Sequence, residues 1–347
     1  PGYMGGKNPN PTYEEVCEGY TNHVEVIKLE YDDINILQIL NIFFVIHDPT
    51  SINRQGADVG TQYRSAIFCD SNERPSIVDY IQDLENKDIF NDKIVTEVNE
   101  LSVGDRVAYP MSLGAYTDFR TIAASSLVTI PDNISDRVAA SIMLKGLTAH
   151  YLLRRTYRVK KGDPILIFAA AGGVGLLLSQ WAKHLGALVI GCVGSVDKAN
   201  LAKSYGCDHV ILYKEQNIAD AVQDITNGEG VAVAYDSVGK VTFQASMNSL
   251  RPFGTLVTFG NSSGPVEPFS PSILGPKGSL YVTRPTLATH IATRPLLLEG
   301  ADSLFNLVEN GTLKIACNQT YKLDDIVQAH TDLEGRKTTG STILLPD

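Results

Sequence analysis

The stretch that decides the fold is Ala169 to Gly194, AAAGGVGLLLSQWAKHLGALVIGCVG. Just before it, Pro164-Ile-Leu-Ile-Phe168 is the short apolar run of a strand buried on both faces. Ala170-Ala-Gly172-Gly173-Val174-Gly175 is an A-x-G-x-x-G form of the dinucleotide turn. A side chain on Gly172 would stand where a pyrophosphate approaches the backbone, and Gly175 lets the following helix pack closely on the strand. That helix opens at the turn, so its free N–H groups and the positive end of its dipole face the phosphates. Val174, Leu177, Leu178, Trp181, Ala182 and Leu185 recur at helical spacing and give one apolar face. Gly186 closes the helix, and Leu188-Val-Ile190 returns as the next strand. A lone glycine pattern is only a tight turn; strand, turn, helix and strand in this order point to a dinucleotide site.

The rest of the chain bounds that reading. Its 347 residues make two domains the expectation. A hydrophobic content of 44% and a charged content of 20% are those of a soluble globular protein. The net charge of −10 argues against a nucleic-acid or anionic-membrane partner. No apolar run reaches membrane-spanning length, since Asn35, Gln38 and Asn41 interrupt Ile34 to Ile46. The first residue is Pro1, which leaves a removed targeting segment open. The five cysteines, Cys17, Cys69, Cys192, Cys207 and Cys317, show no C-x-x-C spacing. They read as reduced thiols of a cytoplasmic protein rather than a disulfide framework or zinc site.

Downstream, strands are expected at Ile165–Phe168, Leu188–Cys192, His209–Leu212, Ala232–Tyr235, Thr255–Phe259 and Leu280–Val282, with helices between. Such alternation builds a doubly wound parallel sheet whose ligand lies at the C-terminal strand ends, where Gly172, Ser237 and Phe259-Gly260-Asn261 fall. An NAD site wants an acid about twenty residues after the turn. This chain has Gly194-Ser195 and then Lys198 there, room for a 2′-phosphate and an ammonium to pair with it. Asp197 is the counter-indication, and a solvated helix charge is the plain alternative for Lys198.

Val103-Gly-Asp-Arg-Val-Ala108, Gly114-Ala-Tyr116, Leu144-Lys-Gly-Leu-Thr148, Ala169 to Gly175, Tyr235-Asp-Ser-Val-Gly239, Phe259 to Gly264 and Gly278 to Pro285 carry a resemblance. From Leu101 onward the chain resembles the zinc-independent medium-chain NADPH:quinone reductases. The resemblance implies a Rossmann domain over 144–312 and a partial GroES-like β domain over 99–143 and 313–347. It also implies NADPH as cofactor, a quinone-type substrate and a homodimer, with Gly278 to Val282 at the contact. It places Lys145, Gly146 and Thr148 near the nicotinamide, Gly173 and Val174 in the turn, Tyr213 and Arg336 at the 2′-phosphate, and Asn261 and Arg284 elsewhere along the cofactor. No metal is expected, because the chain lacks the Gly-His-Glu context of catalytic zinc. Hydride transfer to an electron-poor carbonyl is the fitting chemistry. With part of the catalytic domain's expected sequence replaced, open strand edges are a further expectation.

The first 98 residues belong elsewhere. Gly2 to Gly6, Pro9 to Cys17, His23 to Glu25, Ile46 to Thr50 and above all Arg54 to Ser65 resemble peptide methionine sulfoxide reductase of the A type. The resemblance implies a partial α+β domain whose sulfoxide pocket would hold Tyr13, Glu25, Asp58 and Tyr63. Protonating a sulfoxide oxygen calls for a buried carboxylic acid beside tyrosine hydroxyls. On residue type alone, the tyrosines suit packing, Glu25 a strand surface and Asp58 a turn. The family's nucleophilic cysteine precedes the segment matching Gly2 to Gly6, so this half is expected to be inactive as written. Locally, Pro1 to Gly6 reads as loop, Thr12 and Glu15 as helix-capping residues, and His23 to Tyr31 as a strand. Ile34 to Ile46 reads as a helix ended by Asp48-Pro49, Ser65 to Phe68 as a strand and Ser76 to Glu85 as a helix. The readings in competition are a quinone reductase, a methionine sulfoxide reductase and an inactive NADPH-binding chimera.

Overall fold

In the computed structural model, residues 2–4, 11–18, 21, 23–69, 73–99, 104–335 and 337–346 are described. The chain divides into two compact units, residues 1–107 with 121–129, and residues 108–120 with 130–347.

The larger unit is organised by a six-stranded parallel sheet: β1 (Pro164–Phe168), β2 (Leu188–Val193), β3 (His209–Leu212), β4 (Val231–Asp236), β5 (Leu250–Thr258) and β6 (Tyr281–Thr283). Their order is β3-β2-β1-β4-β5-β6, the arrangement of two mononucleotide-binding halves meeting at β1 and β4. Every residue of β1 and of β4 is buried, which explains why both are apolar throughout except for Asp236 at the end of β4. Expected and observed strands agree to within one residue at each end except at one place. β5 begins at Leu250, five residues before the expected Thr255, because Arg251 to Gly254 carry the strand through a register irregularity opposite Val231 to Val233.

Helices in this unit include α1 (Asp136–Tyr151), α2 (Gly173–His184), α3 (Val196–Ser204), α4 (Ile218–Ile225), α5 (Phe243–Asn248) and α6 (Arg294–Glu309). Ser135, Ser195 and Asn217 cap α1, α3 and α4 with side-chain oxygens. In α2 the apolar face is wider than the spacing suggests: Leu176 and Ser179 are buried along with Leu177, Leu178, Trp181 and Ala182, whereas Val174 and Leu185 are half-buried. Beyond the sheet, Gln319–Lys322 pairs in parallel with Thr342–Leu345.

In the smaller unit, helices Ile36–Ile46 and Arg74–Asn86 pack Leu40, Phe44 and Ile77 against Ile94 and Cys69. Strand Ala66–Phe68 runs parallel to Glu97–Asn99. Thr12 and Glu15 form the expected capping box on helix Tyr13–Cys17. Two expectations need correction. Gly2–Met4, read as loop, is a strand paired antiparallel with Val24–Val26. The strand expected through Tyr31 stops at Val26, and Ile27 and Leu29 are exposed, with no strand among the described residues pairing them. Among the described residues, no helix is long and apolar enough to cross a membrane.

Candidate dinucleotide site

The glycine turn begins with strain. Ala169, directly after β1, sits at φ 51°, in the left-handed region that disfavours a side chain. Its carbonyl accepts from the Gly172 amide at 2.9 Å and closes the turn. A Cβ on Gly175 would lie 2.4 Å from that same carbonyl and 2.7 Å from Ala170 Cα. Gly175 is therefore obligatory for seating α2 on β1, as its place in the motif implies.

Gly172 occupies the N-cap of α2 and has no side chain to satisfy the first-turn amides of Gly173, Val174 and Gly175. Unlike α1, α3 and α4, this helix is left uncapped from within, and its amides can receive an anion. The Lys145 side chain lies across the turn: a Cβ on Gly173 would come 2.7 Å from Lys145 Cδ. Burial lowers the Lys145 ammonium's pKa, with Cys317 opposing the shift. Gly340 completes this corner. It bridges in parallel to Gly172, and its amide donates to the Ala171 carbonyl at 3.3 Å. Its φ of 61° and a would-be Cβ only 2.5 Å from Ala316 O explain why glycine stands there. Sequence reasoning missed Gly340; its one signal was a glycine in the otherwise strand-like Thr338 to Leu345.

On the β2–β3 side lie Gly194, Ser195 and Tyr213, with Lys198 in the first turn of α3. A Cβ on Gly194 would meet the Tyr213 hydroxyl at 2.6 Å, so the tyrosine closes over the end of β2. Ser195 Oγ accepts from the Lys198 amide at 3.4 Å, which fixes the start of α3. Lys198 is half-buried.

On the β4–β5 side, two turns interlock. The Phe259 amide donates to the Asp236 carbonyl at 2.8 Å, and the Ser262 amide to the Ser237 carbonyl at 3.3 Å. Gly260 packs so tightly that a Cβ would lie 2.3 Å from Ser237 O. Asn261 is exposed, and its carbonyl accepts from Gly264 N. Arg284 Nη1 donates to the carbonyls of Thr258 at 3.0 Å and Gly260 at 3.1 Å, clamping the end of β5.

The α1 residues divide by role. Gly146 faces α6, where a Cβ would meet Leu304 at 2.5 Å, so helix packing accounts for this glycine. Thr148 is buried and donates to the Leu144 carbonyl at 2.7 Å. Arg336 lies outside the described residues.

The residues thus fit a dinucleotide. An uncapped helix start lies at the centre, the end of β2 with Gly194 and Ser195 in place of an acid and Lys198 in the following turn lies to one side, and a glycine-tight double turn lies to the other.

In the smaller unit the acid expected in a sulfoxide pocket is not enclosed. Glu25 and Asp58 are exposed, because the Val24–Val26 alternation turns Glu25 outward and Asp58 sits in a two-residue strand at a hairpin. Tyr13 is 61% exposed, whereas Tyr63 is half-buried in the Thr61–Tyr63 turn. A part-buried chain of hydrogen bonds lies elsewhere in this unit: His47 Nε2 hydrogen-bonds Ser65 Oγ at 2.7 Å, and Ser65 Oγ pairs with Thr96 Oγ1 at 2.7 Å.

Comparison with known proteins agrees with this geometry. Residues 173–292 match the family model described as zinc-binding dehydrogenase, and residues 1–103 match peptide methionine sulfoxide reductase. A quinone oxidoreductase of Pseudomonas aeruginosa is 50% identical over 252 residues, covering 72% of this chain and 78% of that protein. The chain belongs to the quinone oxidoreductase family. The crystal structure of Escherichia coli quinone oxidoreductase complexed with NADPH superposes with a TM-score of 0.70 at 45% identity, over 73% of this chain and 79% of that one. A peptide methionine sulfoxide reductase of Trichodesmium erythraeum is 50% identical over 103 residues, 29% of this chain and 58% of that protein. The N-terminal part therefore spans under two thirds of its relative's length. Two families meet in one polypeptide.

Proposed function

We propose that this quinone oxidoreductase family member binds NADPH across the 3-2-1-4-5-6 sheet and passes hydride to a quinone or a related electron-poor carbonyl. The single observation that carries the reading is the end of β2, where Gly194 and Ser195 stand instead of an acid, Tyr213 closes over Gly194, and Lys198 lies in the first turn of α3. In an NAD site an acid holds the ribose hydroxyls there; here small residues leave space and Lys198 supplies a cation for a 2′-phosphate. The solved E. coli relative complexed with NADPH supports the same choice. NADPH, when bound, supplies the hydride, and the protein's part is orientation. Gly173, Val174 and Gly175 offer amides to the pyrophosphate, Lys145 brings a cation to the same corner, and Ser237 to Asn261 wall the opposite half. Gly146 and Thr148 hold α1 in place and Arg284 holds the end of β5, while Arg336 is assigned, as the resemblance implies, to the 2′-phosphate.

We also infer a cytoplasmic homodimer. Cys69, Cys192, Cys207 and Cys317 are free thiols, as in a reducing compartment. β6 ends the sheet as an open edge, with Tyr281 exposed on it and Phe253 exposed on β5, its amide donating to the Gly278 carbonyl at 2.8 Å.

The test is equilibrium titration with NADPH and NADH, followed by quinone-dependent NADPH oxidation. Preference for NADPH is expected, and Lys198→Ala should weaken NADPH about tenfold while leaving NADH unchanged. Equal affinity for the two cofactors in the wild-type chain would overturn the assignment. A chain that binds NADPH but never oxidises it with any quinone would be a binding protein only.

A further inference from the structure

We propose that Asp236 is a positioning residue for the nicotinamide half of the dinucleotide. It acts through the turn it holds rather than by contact. The inference rests on the NADPH reading above and adds a residue to it.

Asp236 ends β4 and is completely buried. Burying a carboxylate is costly unless its lone pairs are filled. Here they are filled entirely by the next ten residues. Oδ1 accepts from the amides of Val238 at 2.8 Å and Gly239 at 3.0 Å, and from Thr242 Oγ1 at 2.9 Å. Oδ2 accepts from Thr242 Oγ1 at 2.8 Å and Ser246 Oγ at 2.8 Å. The carboxylate therefore folds the chain after β4 around itself and ties it to the first turns of α5. Charge-assisted bonds of this kind are stronger than neutral ones, so the turn is held in one shape.

That turn is half of the double turn on the β4–β5 side. Ser263 N and Oγ donate to the Val238 carbonyl at 2.9 and 2.8 Å, Val241 N donates to Ser263 Oγ at 3.2 Å, and Lys240 N to the Gly264 carbonyl at 3.1 Å. With Gly260 locked against Ser237 O and Arg284 clamping Thr258 and Gly260, both turns are set by what lies beneath them. Sheet order places this wall on the far side of Gly172 from Ser195, Lys198 and Tyr213. The 2′-phosphate end of the dinucleotide takes the β2 side, so its other half takes the β4 side. Loosening the Asp236 turn should affect one half of the cofactor only.

The experiment measures binding of NADPH and of 2′,5′-ADP, which has only the phospho-adenosine end, to wild type, Asp236→Asn and Thr242→Val by calorimetry. Asp236→Asn is expected to weaken NADPH about tenfold and to leave 2′,5′-ADP within about twofold, because only the turn's hydrogen bonds are lost. Thr242→Val should shift NADPH in the same direction by less. Equal losses for both ligands would show general damage to packing and overturn the inference, as would unchanged NADPH binding. Should Asp236→Asn not fold, Thr242→Val decides by the same two ligands. Absence of NADPH binding by the wild-type chain overturns the cofactor reading and this inference with it; wild-type binding with an unaltered variant overturns this inference alone.

Discussion

Helices Ile36–Ile46 and Gly173–His184 make an instructive pair. Both are apolar, of similar length, and follow a short turn. The second lies on a six-stranded sheet and buries Leu176, Leu177, Leu178, Trp181 and Ala182. The first buries only Leu40 and Phe44, while Ile42, Ile46 and Val45 stand 63%, 73% and 82% exposed. A helix apolar all round is ordinarily enclosed by its neighbours. The sheet supplies such neighbours for the second helix; the small paired strands of the N-terminal unit do not for the first. Apolar periodicity specifies that a helix forms and which residues could be buried. Whether they are buried depends on how many layers the rest of the chain provides.

The sharpest way to break this comparison is to truncate one residue in each helix. Leu178→Ala, at a fully buried site, should cost about 3 kcal/mol in the melting of the larger unit, from lost transfer energy and the cavity left behind. A cost under about 1 kcal/mol would mean that the helix is not held by burial.

Acid should act next. His150 in α1 is buried beside Trp181 and against Gly300 of α6, and burial, aided by the Arg155 charge, pushes its pKa down to about 4. In the unfolded chain it titrates near 6.5, so the unfolded state takes up the proton first. The stabilisation is whole above about pH 6.5 and is lost as pH falls toward 4, amounting to about 2 kcal/mol. Thermal melts from pH 7 to 4.5 should show this fall, and in His150→Leu the slope should flatten. An unchanged slope would place the acid sensitivity elsewhere.

The smallest effect is expected at Val45. Because its side chain is already in water, Val45→Lys should change stability by less than about 0.5 kcal/mol. A loss comparable to that of Leu178→Ala would show that the outer face of this helix is covered in solution.

Much of the nucleotide site could be read from residues alone. Gly172 and Gly175, the strand ends at Ser237 and Phe259, and the contrast between Ser195-Lys198 and an acid are local features, because a turn and a helix start are built from neighbours in sequence. Asp236 and Gly340 could not be read this way. An aspartate at a strand end resembles any turn former until its four donors are seen around it, and Gly340 meets Gly172 only after most of the nucleotide fold has formed between them. The sulfoxide-pocket residues show the reverse case. Tyr13, Glu25, Asp58 and Tyr63 could be named by resemblance, yet an enclosed acid needs walls that a two-stranded pairing does not provide.

By itself, then, the sequence determined the doubly wound sheet, its order of elements, the phosphate-binding turn and the presence of two families in one chain. These follow from short-range periodicity and the steric freedom of glycine. Tertiary structure alone decided which apolar faces are buried, which carboxylate is an internal anchor and which remote glycine closes the turn. Each of those depends on groups far apart in the chain, brought within a few ångströms only by folding.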